Sequence, residues 1–236
     1  TGSSGGIGRD LVKTYLNDGY FVLGLDISPS KSPLSEFYAE IDVNLLMFSK
    51  DTAYRDSVLG KIKERLPHKV NKFVLINNAA EQILKSVAEI EWQDWENSLA
   101  VNTVAPFFLV QGLTAELIES CGHVINISSI HAKLTKTKFT CYSASKSALE
   151  ALTRSLALEL SPLGVSVNAI APAAISTEML RASFNDKPEK LRELESYHPS
   201  KSIGTPAQVA LLVKTVTDQQ GGFLTGAILE FNGGIA

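Results

Sequence analysis

Short apolar runs alternate with longer helical patterns along this 236-residue chain, and that alternation constrains the fold more than any other feature. Tyr20 to Leu25, Phe37 to Val43, Phe73 to Ile76, Val124 to Ile127 and Val165 to Ile170 are short, rich in β-branched residues and bordered by polar or glycine-containing turns, which predicts buried strands. Between them, Ile7 to Asn17, Trp95 to Glu119 and Ser143 to Leu160 repeat apolar side chains at helical spacing, with a bend expected near Pro106. A last helix over Pro206 to Thr217 and a strand over Ala227 to Phe231 complete the series. Strands alternating with helices join through right-handed crossovers. The expected fold is therefore α/β: a three-layer, doubly wound, Rossmann-like domain with a mostly parallel sheet, spanning 1–236 as one unit. The segment 176–202 lacks a strand period and is the expected substrate lid, with a solvated helical excursion as the alternative reading.

Composition narrows the function classes. With 44% hydrophobic and 20% charged residues and a formal charge of -3, the chain has the balance of a globular protein and no basic tract. Neither a nucleic-acid partner nor a membrane partner is expected. Two cysteines, Cys121 and Cys141, are too few for a disulfide framework and lack metal-ligand spacing, so each is read as a buried thiol, with a redox-sensitive or substrate-facing thiol as the alternative for Cys141 beside Tyr142, and no metal site is expected. No apolar run is long enough to cross a bilayer and no signal segment opens the sequence, which makes cytoplasmic the expected location.

The chain opens on Thr1-Gly2-Ser3-Ser4-Gly5-Gly6-Ile7-Gly8, a glycine-rich turn leading into a helical pattern. Glycines permit a tight turn and close helix packing, and the exposed N–H groups at the helix start can hold a pyrophosphate; small residues also solve ordinary turn geometry. Asp26, at the end of the following strand, is placed to accept hydrogen bonds from an adenine ribose. A carboxylate there favours NAD and repels the extra phosphate of NADP, and Ile27 supplies no positive charge to reverse that preference. The competing reading of Asp26 is a turn cap with Ser28 and Pro29.

Tyr142-Ser143-Ala144-Ser145-Lys146 places a phenol and an ammonium on neighbouring turns of one helix face, where the ammonium favours the tyrosinate. Alone, the pair is also compatible with an ordinary exposed helix. Ser129, just after the Val124 to Ile127 strand, supplies a hydroxyl ahead of it, and His131 either lines the same cleft or packs elsewhere. Trp92 and Trp95 are read as packing residues.

Taken in order, these motifs resemble those of the short-chain dehydrogenase/reductase family, with TGxxxGxG at Thr1 to Gly8 and YxxxK at Tyr142 to Lys146. The resemblance runs from Thr1 to the Phe231–Gly234 region. It implies a catalytic set of Asn102, Ser129, Tyr142 and Lys146: Ser129 holds the substrate oxygen, Tyr142 transfers the proton, Lys146 lowers the Tyr142 pKa, and Asn102 supports a proton relay with Lys146. It implies dinucleotide contacts from Gly2, Ser4, Gly5, Ile7, Asp26, Ile27, Asp42, Val43, Asn78, Ala79, Ala80, Tyr142, Lys146, Pro172, Ala173, Ile175 and Thr177. Two positions depart from the family pattern, Ala80 for glycine in the Asn77-Asn78-Ala79-Ala80 element and Ala173 in place of the familiar proline-glycine pair. In this family a strand precedes the glycine loop, and residues upstream of Thr1 are expected to supply it. The implied activity is NAD(H)-dependent interconversion of a small secondary alcohol and a ketone by a homotetramer, or else a dimer. A 3-oxoacyl-thioester reductase, a sugar or polyol dehydrogenase, and a nonenzymatic dinucleotide-binding or assembly protein are the alternatives.

Overall fold

The structure is a computed structural model that describes residues 1–28, 35–178, 180, 188–219 and 222–235. The opening turn feeds α1 (Gly6–Asn17), followed by β1 (Val22–Asp26), β2 (Tyr38–Asp42), α2 (Leu45–Lys50), α3 (Thr52–Arg65) and β3 (Val74–Asn77). Next come α4 (Trp92–Leu99), a π-helical turn (Ala100–Val104), α5 (Ala105–Gly112), α6 (Thr114–Glu119), β4 (His123–Ile127), α7 (Thr140–Leu160) and β5 (Ser166–Pro172). The carboxyl-terminal part contains α8 (Pro188–Tyr197), α9 (Pro206–Thr217) and β6 (Ile228–Phe231).

Among the described residues every strand pairing is parallel, in the orders β1-β2 and β3-β4-β5-β6. All residues of β4 and β5 are buried, as expected for central strands covered on both faces. Successive side chains then serve opposite layers. Val124 and Val167 join Leu109, Leu113, Leu117 and Leu156 on one face, whereas Ile125, Ile127 and Ile170 pack with Leu11, Val209 and Val213 on the other. That division gives the three-layer Rossmann-like arrangement. Helices α1 and α9 share the second layer, tied by a buried 2.7 Å hydrogen bond between Tyr15 and Thr217.

Several local expectations shift. The bend expected near Pro106 lies one turn earlier: the chain winds into a π-turn over Ala100–Val104, and Pro106 sits in the first turn of α5, where a missing N–H is tolerated. Helices α2 and α3 had no sequence expectation; α3 is short of apolar residues and buries only Val58 and Ile62. Trp92 is exposed, so the packing reading fails for it, and Cys121 is an exposed thiol while Cys141 is buried. Residues 179 and 181–187 of the expected lid lie outside the described residues; its described remainder includes α8. No described helix is long and apolar enough to cross a membrane.

Candidate active site

Because the strands run parallel, their carboxyl ends lie along one edge, and the candidate residues gather there. Asp26 ends β1, Asp42 ends β2, Asn78 follows β3, Ser129 follows β4, and Pro172 ends β5. An open α/β sheet binds ligands at this edge.

Three side chains meet where β4 and α7 pack. Ser129 lies close enough to the Tyr142 phenol to lower its pKa, and its hydroxyl oxygen accepts from the His131 amide at 3.2 Å. Lys146 lies one turn beyond Tyr142 on α7, its Nζ 5.8 Å from the centre of the phenol ring. Burial raises the Tyr142 pKa, and the nearby Ser129 side chain partly offsets that rise. The expected depression by Lys146 does not dominate. Its ammonium donates a 2.7 Å hydrogen bond to the Ile127 carbonyl, and burial lowers its own pKa to about 8. In this state the phenol keeps its proton.

Asn102, within the π-turn, is buried with its whole amide engaged. Its Oδ1 accepts from the Glu81 amide at 2.7 Å, and its Nδ2 donates to the Glu81 carbonyl and to Ser145 Oγ, each at 2.9 Å. Ser145 in turn donates to the Tyr142 carbonyl at 2.8 Å. The side chain of Asn102 therefore clamps the start of α7 to the loop that follows β3. Ser145 went unnoticed in the sequence, although it lies inside the tyrosine-lysine motif. Phe139 was missed too, and nothing in the periodicity marks it; its ring is 5.9 Å from that of Tyr142 and 4.3 Å from that of His131. His131 is half-buried beside the phenol, with its pKa lowered by burial.

The opening loop has the shape of a phosphate cradle. Gly2 adopts φ +64, and a Cβ there would meet Asn78 Nδ2 at 2.9 Å; one on Gly8 would lie 1.8 Å from the Gly2 carbonyl oxygen. Close packing thus requires glycine at both positions. A Cβ on Gly5 would meet nothing within 4 Å, so the loop is open on that side, and α1 starts with no side-chain cap. Its first amides are free for an anion. These features fit a dinucleotide pyrophosphate.

Around the loop the expected contacts divide. Asp26 accepts from the Ser4 amide and the Ser28 amide, both at 2.9 Å, so it caps the turn at Ser28 while each oxygen keeps a further acceptor site; Pro29, the other residue of the turn-cap reading, lies outside the described residues. Ile27 is exposed beside it, Asp42 is exposed on the paired strand, and Ile7 is half-buried. Val43 is buried in the core. Asn78 is a structural tie: its Nδ2 donates to the Thr1 and Gly2 carbonyls at 3.1 Å, and Thr1 Oγ1 accepts from the Asn78 and Ala79 amides at 3.0 Å. Ala80 is exposed, and neither Ala80 nor Ala173 takes a positive φ, so neither departure from the family pattern strains the backbone. Ala173 donates to the Phe231 carbonyl at 2.9 Å, Ile175 bridges Gly204, and the Thr177 methyl is 3.1 Å from where a Cβ of Gly6 would lie. Pro172 through Thr177 therefore run from the end of β5 to the glycine loop.

A family model described as short chain dehydrogenase matches residues 1–188. An uncharacterized oxidoreductase of Thermotoga maritima is 32% identical over 240 residues, covering 100% of this chain and 93% of the relative. Among solved structures, 4-hydroxyisoleucine dehydrogenase complexed with NADH superposes with a TM-score of 0.86 at 26% identity, covering 99% of this chain and 95% of that one. ElxO with NADP bound gives a TM-score of 0.88 at 24% identity, covering 99% and 96%, and that likeness bears on the fold alone.

Proposed function

The chain belongs to the short-chain dehydrogenase family, and from that premise we propose that it interconverts a small secondary alcohol and a ketone with NAD(H). The contact joining Ser129 to the Tyr142 phenol, with Lys146 one turn away, carries this reading. In the reduction direction the Ser129 hydroxyl donates to the carbonyl oxygen and the protonated Tyr142 delivers a proton to it. Oxidation reverses both steps. The Lys146 ammonium then stabilises the phenolate left behind, and Asn102 holds α7 in register through Ser145 while supporting proton return.

Gly2, Ser4, Gly5 and Ile7 would hold the pyrophosphate, Asp26 the adenine ribose, and Asp42 and the Val43 backbone the base. Ile27, Asn78, Ala79 and Ala80 would flank the adenosine side, while Pro172, Ala173, Ile175 and Thr177 would flank the nicotinamide with Tyr142 and Lys146. Bound there, the nicotinamide ring supplies or accepts the hydride. NAD is preferred because Asp26 is anionic and its neighbour Ile27 is apolar. The proposed assembly is a homotetramer, with a dimer as the alternative; Leu158, exposed on α7, supplies apolar surface for it.

A parallel screen of alcohol oxidation and ketone reduction with NAD(H) and NADP(H) tests the reading. Turnover with NADH above that with NADPH is expected. Saturable dinucleotide binding with no turnover on any alcohol or ketone would replace it with a nonenzymatic binding protein.

A further inference from the structure

Three hydroxyls converge on one carboxylate oxygen beside the glycine loop. Glu40 Oε1 accepts from Ser4 Oγ at 3.1 Å, from Ser3 Oγ at 3.3 Å and from the Tyr38 phenol. Gly24, the register partner of Glu40 on β1, makes the room: a Cβ there would lie 2.6 Å from both Ser3 Oγ and the Tyr38 oxygen. Burial, and after it the bond to Glu40, raises the Tyr38 pKa, so the phenol keeps its proton and donates. An ionised carboxylate only accepts, which suits three donors, and such charge-assisted bonds offset the cost of half-burying Glu40.

Ser4 connects this carboxylate to the one that ends β1. Its amide donates to Asp26 Oδ2 at 2.9 Å while its hydroxyl donates to Glu40 Oε1. Both acids therefore flank a single residue of the glycine loop. The strand register pairs Gly24 with Glu40 and Asp26 with Asp42, which sets Glu40 on the diagonal from Asp26. For strands about 4.8 Å apart with a rise of about 3.3 Å per residue, that diagonal spans about 8 Å between Cα atoms. A charge at this range is felt across physiological salt, and more so when it is half-buried. Bracing the loop needs an acceptor at position 40 but no net charge.

We propose that Glu40 is a second cofactor-selecting carboxylate, whose charge opposes a 2′-phosphate on an adenine ribose held at Asp26; this rests on the dinucleotide reading given above. The two acids differ in how they act. Asp26 keeps an acceptor site on each oxygen and so both binds a ribose and repels a phosphate. Glu40 Oε1 already carries three donors, so Glu40 selects through space and by fixing Ser4. Asp42 shares this face of β2 but is exposed, where water and salt screen its charge more strongly. Discrimination is divided between Asp26 and Glu40, and neutralising Asp26 alone leaves part of it in place.

Calorimetric titration of ADP-ribose and of its 2′-phosphate derivative into the parent chain, Glu40→Gln and Glu40→Asp tests this without turnover. Gln keeps an acceptor oxygen at the same reach and removes the charge, whereas Asp keeps the charge and shortens the reach. The readout is the Kd of the 2′-phosphate probe divided by the Kd of ADP-ribose. In Glu40→Gln this ratio is expected to fall at least about fivefold, and in Glu40→Asp to stay within about twofold of the parent. The difference between parent and Glu40→Gln is expected to shrink as salt rises from about 0.05 M to about 1 M. A ratio unchanged in Glu40→Gln, or moved equally in Glu40→Asp, makes Glu40 a brace of the loop and overturns the proposal while the dinucleotide reading stands. A parent chain that binds neither probe refutes that reading, and the role of Glu40 with it.

Discussion

Lys146 Nζ donates a 2.7 Å hydrogen bond to the carbonyl oxygen of Ile127, the last residue of β4. This bond pins α7 to the end of β4, two residues before Ser129. It also leaves desolvation as the dominant influence on the Tyr142 phenol, which favours the proton-donating form.

Replacing Tyr142 with Phe removes the hydroxyl and keeps the packed ring. Loss of general acid-base catalysis is expected to lower kcat by about a hundredfold or more, with a thermal midpoint close to that of the parent. Steady-state turnover and a melting curve check both halves, and unchanged turnover would remove Tyr142 from proton transfer.

Burial lowers the Lys146 pKa from 10.5 to about 8. The unfolded chain holds this proton more tightly, so the penalty is full below about pH 8 and is relieved as pH rises towards 10.5. Stability of the parent relative to Lys146→Met is therefore expected to rise over that window, by about 3 kcal/mol at most from the size of the shift. Urea denaturation of both proteins at pH 7 and pH 10 measures it; a difference independent of pH would contradict the assigned shift.

Asp26→Asn keeps a side-chain oxygen to accept from a neighbouring amide but removes the charge that opposes a 2′-phosphate. Combined with Ile27→Arg, it is expected to move the NAD to NADP ratio of kcat/KM by at least about tenfold towards NADP, equivalent to about 1.4 kcal/mol. Equal preference before and after the change would count against Asp26 as the selector.

Asn102→Ala strips partners from the Glu81 amide and carbonyl and from Ser145 Oγ. Leaving buried polar groups unpaired costs about 1–3 kcal/mol each when water cannot replace the partner. A loss of about 2 kcal/mol in urea denaturation is expected, together with reduced kcat. A fully stable variant would show that water enters the clamp.

The layers were legible because each depends on local pattern. β-branched runs marked β4 and β5, and the spacing of Leu11, Val12 and Tyr15 marked the buried face of α1. Helix α3 escaped notice for the converse reason, since two buried residues in 14 leave no apolar stripe to detect. At the proposed site, Tyr142, Lys146 and Ser129 were picked out by the family resemblance that their order and spacing carry. Ser145 and Phe139 were not, because a small hydroxyl and a residue preceding a helix carry no periodic signal.

Sequence alone determined the α/β alternation, the glycine turn and the spacing of the proposed Ser129, Tyr142 and Lys146 site, since chain order and covalent spacing set those. Tertiary structure decided what each group does with its hydrogen bonds. The Lys146 ammonium turns to Ile127, Asn102 is consumed by Glu81 and Ser145, and both oxygens of Asp26 engage backbone amides. Burial then sets the charge states, because the cost of an ion depends on how much water the surrounding elements exclude, and no run of neighbouring residues encodes that quantity.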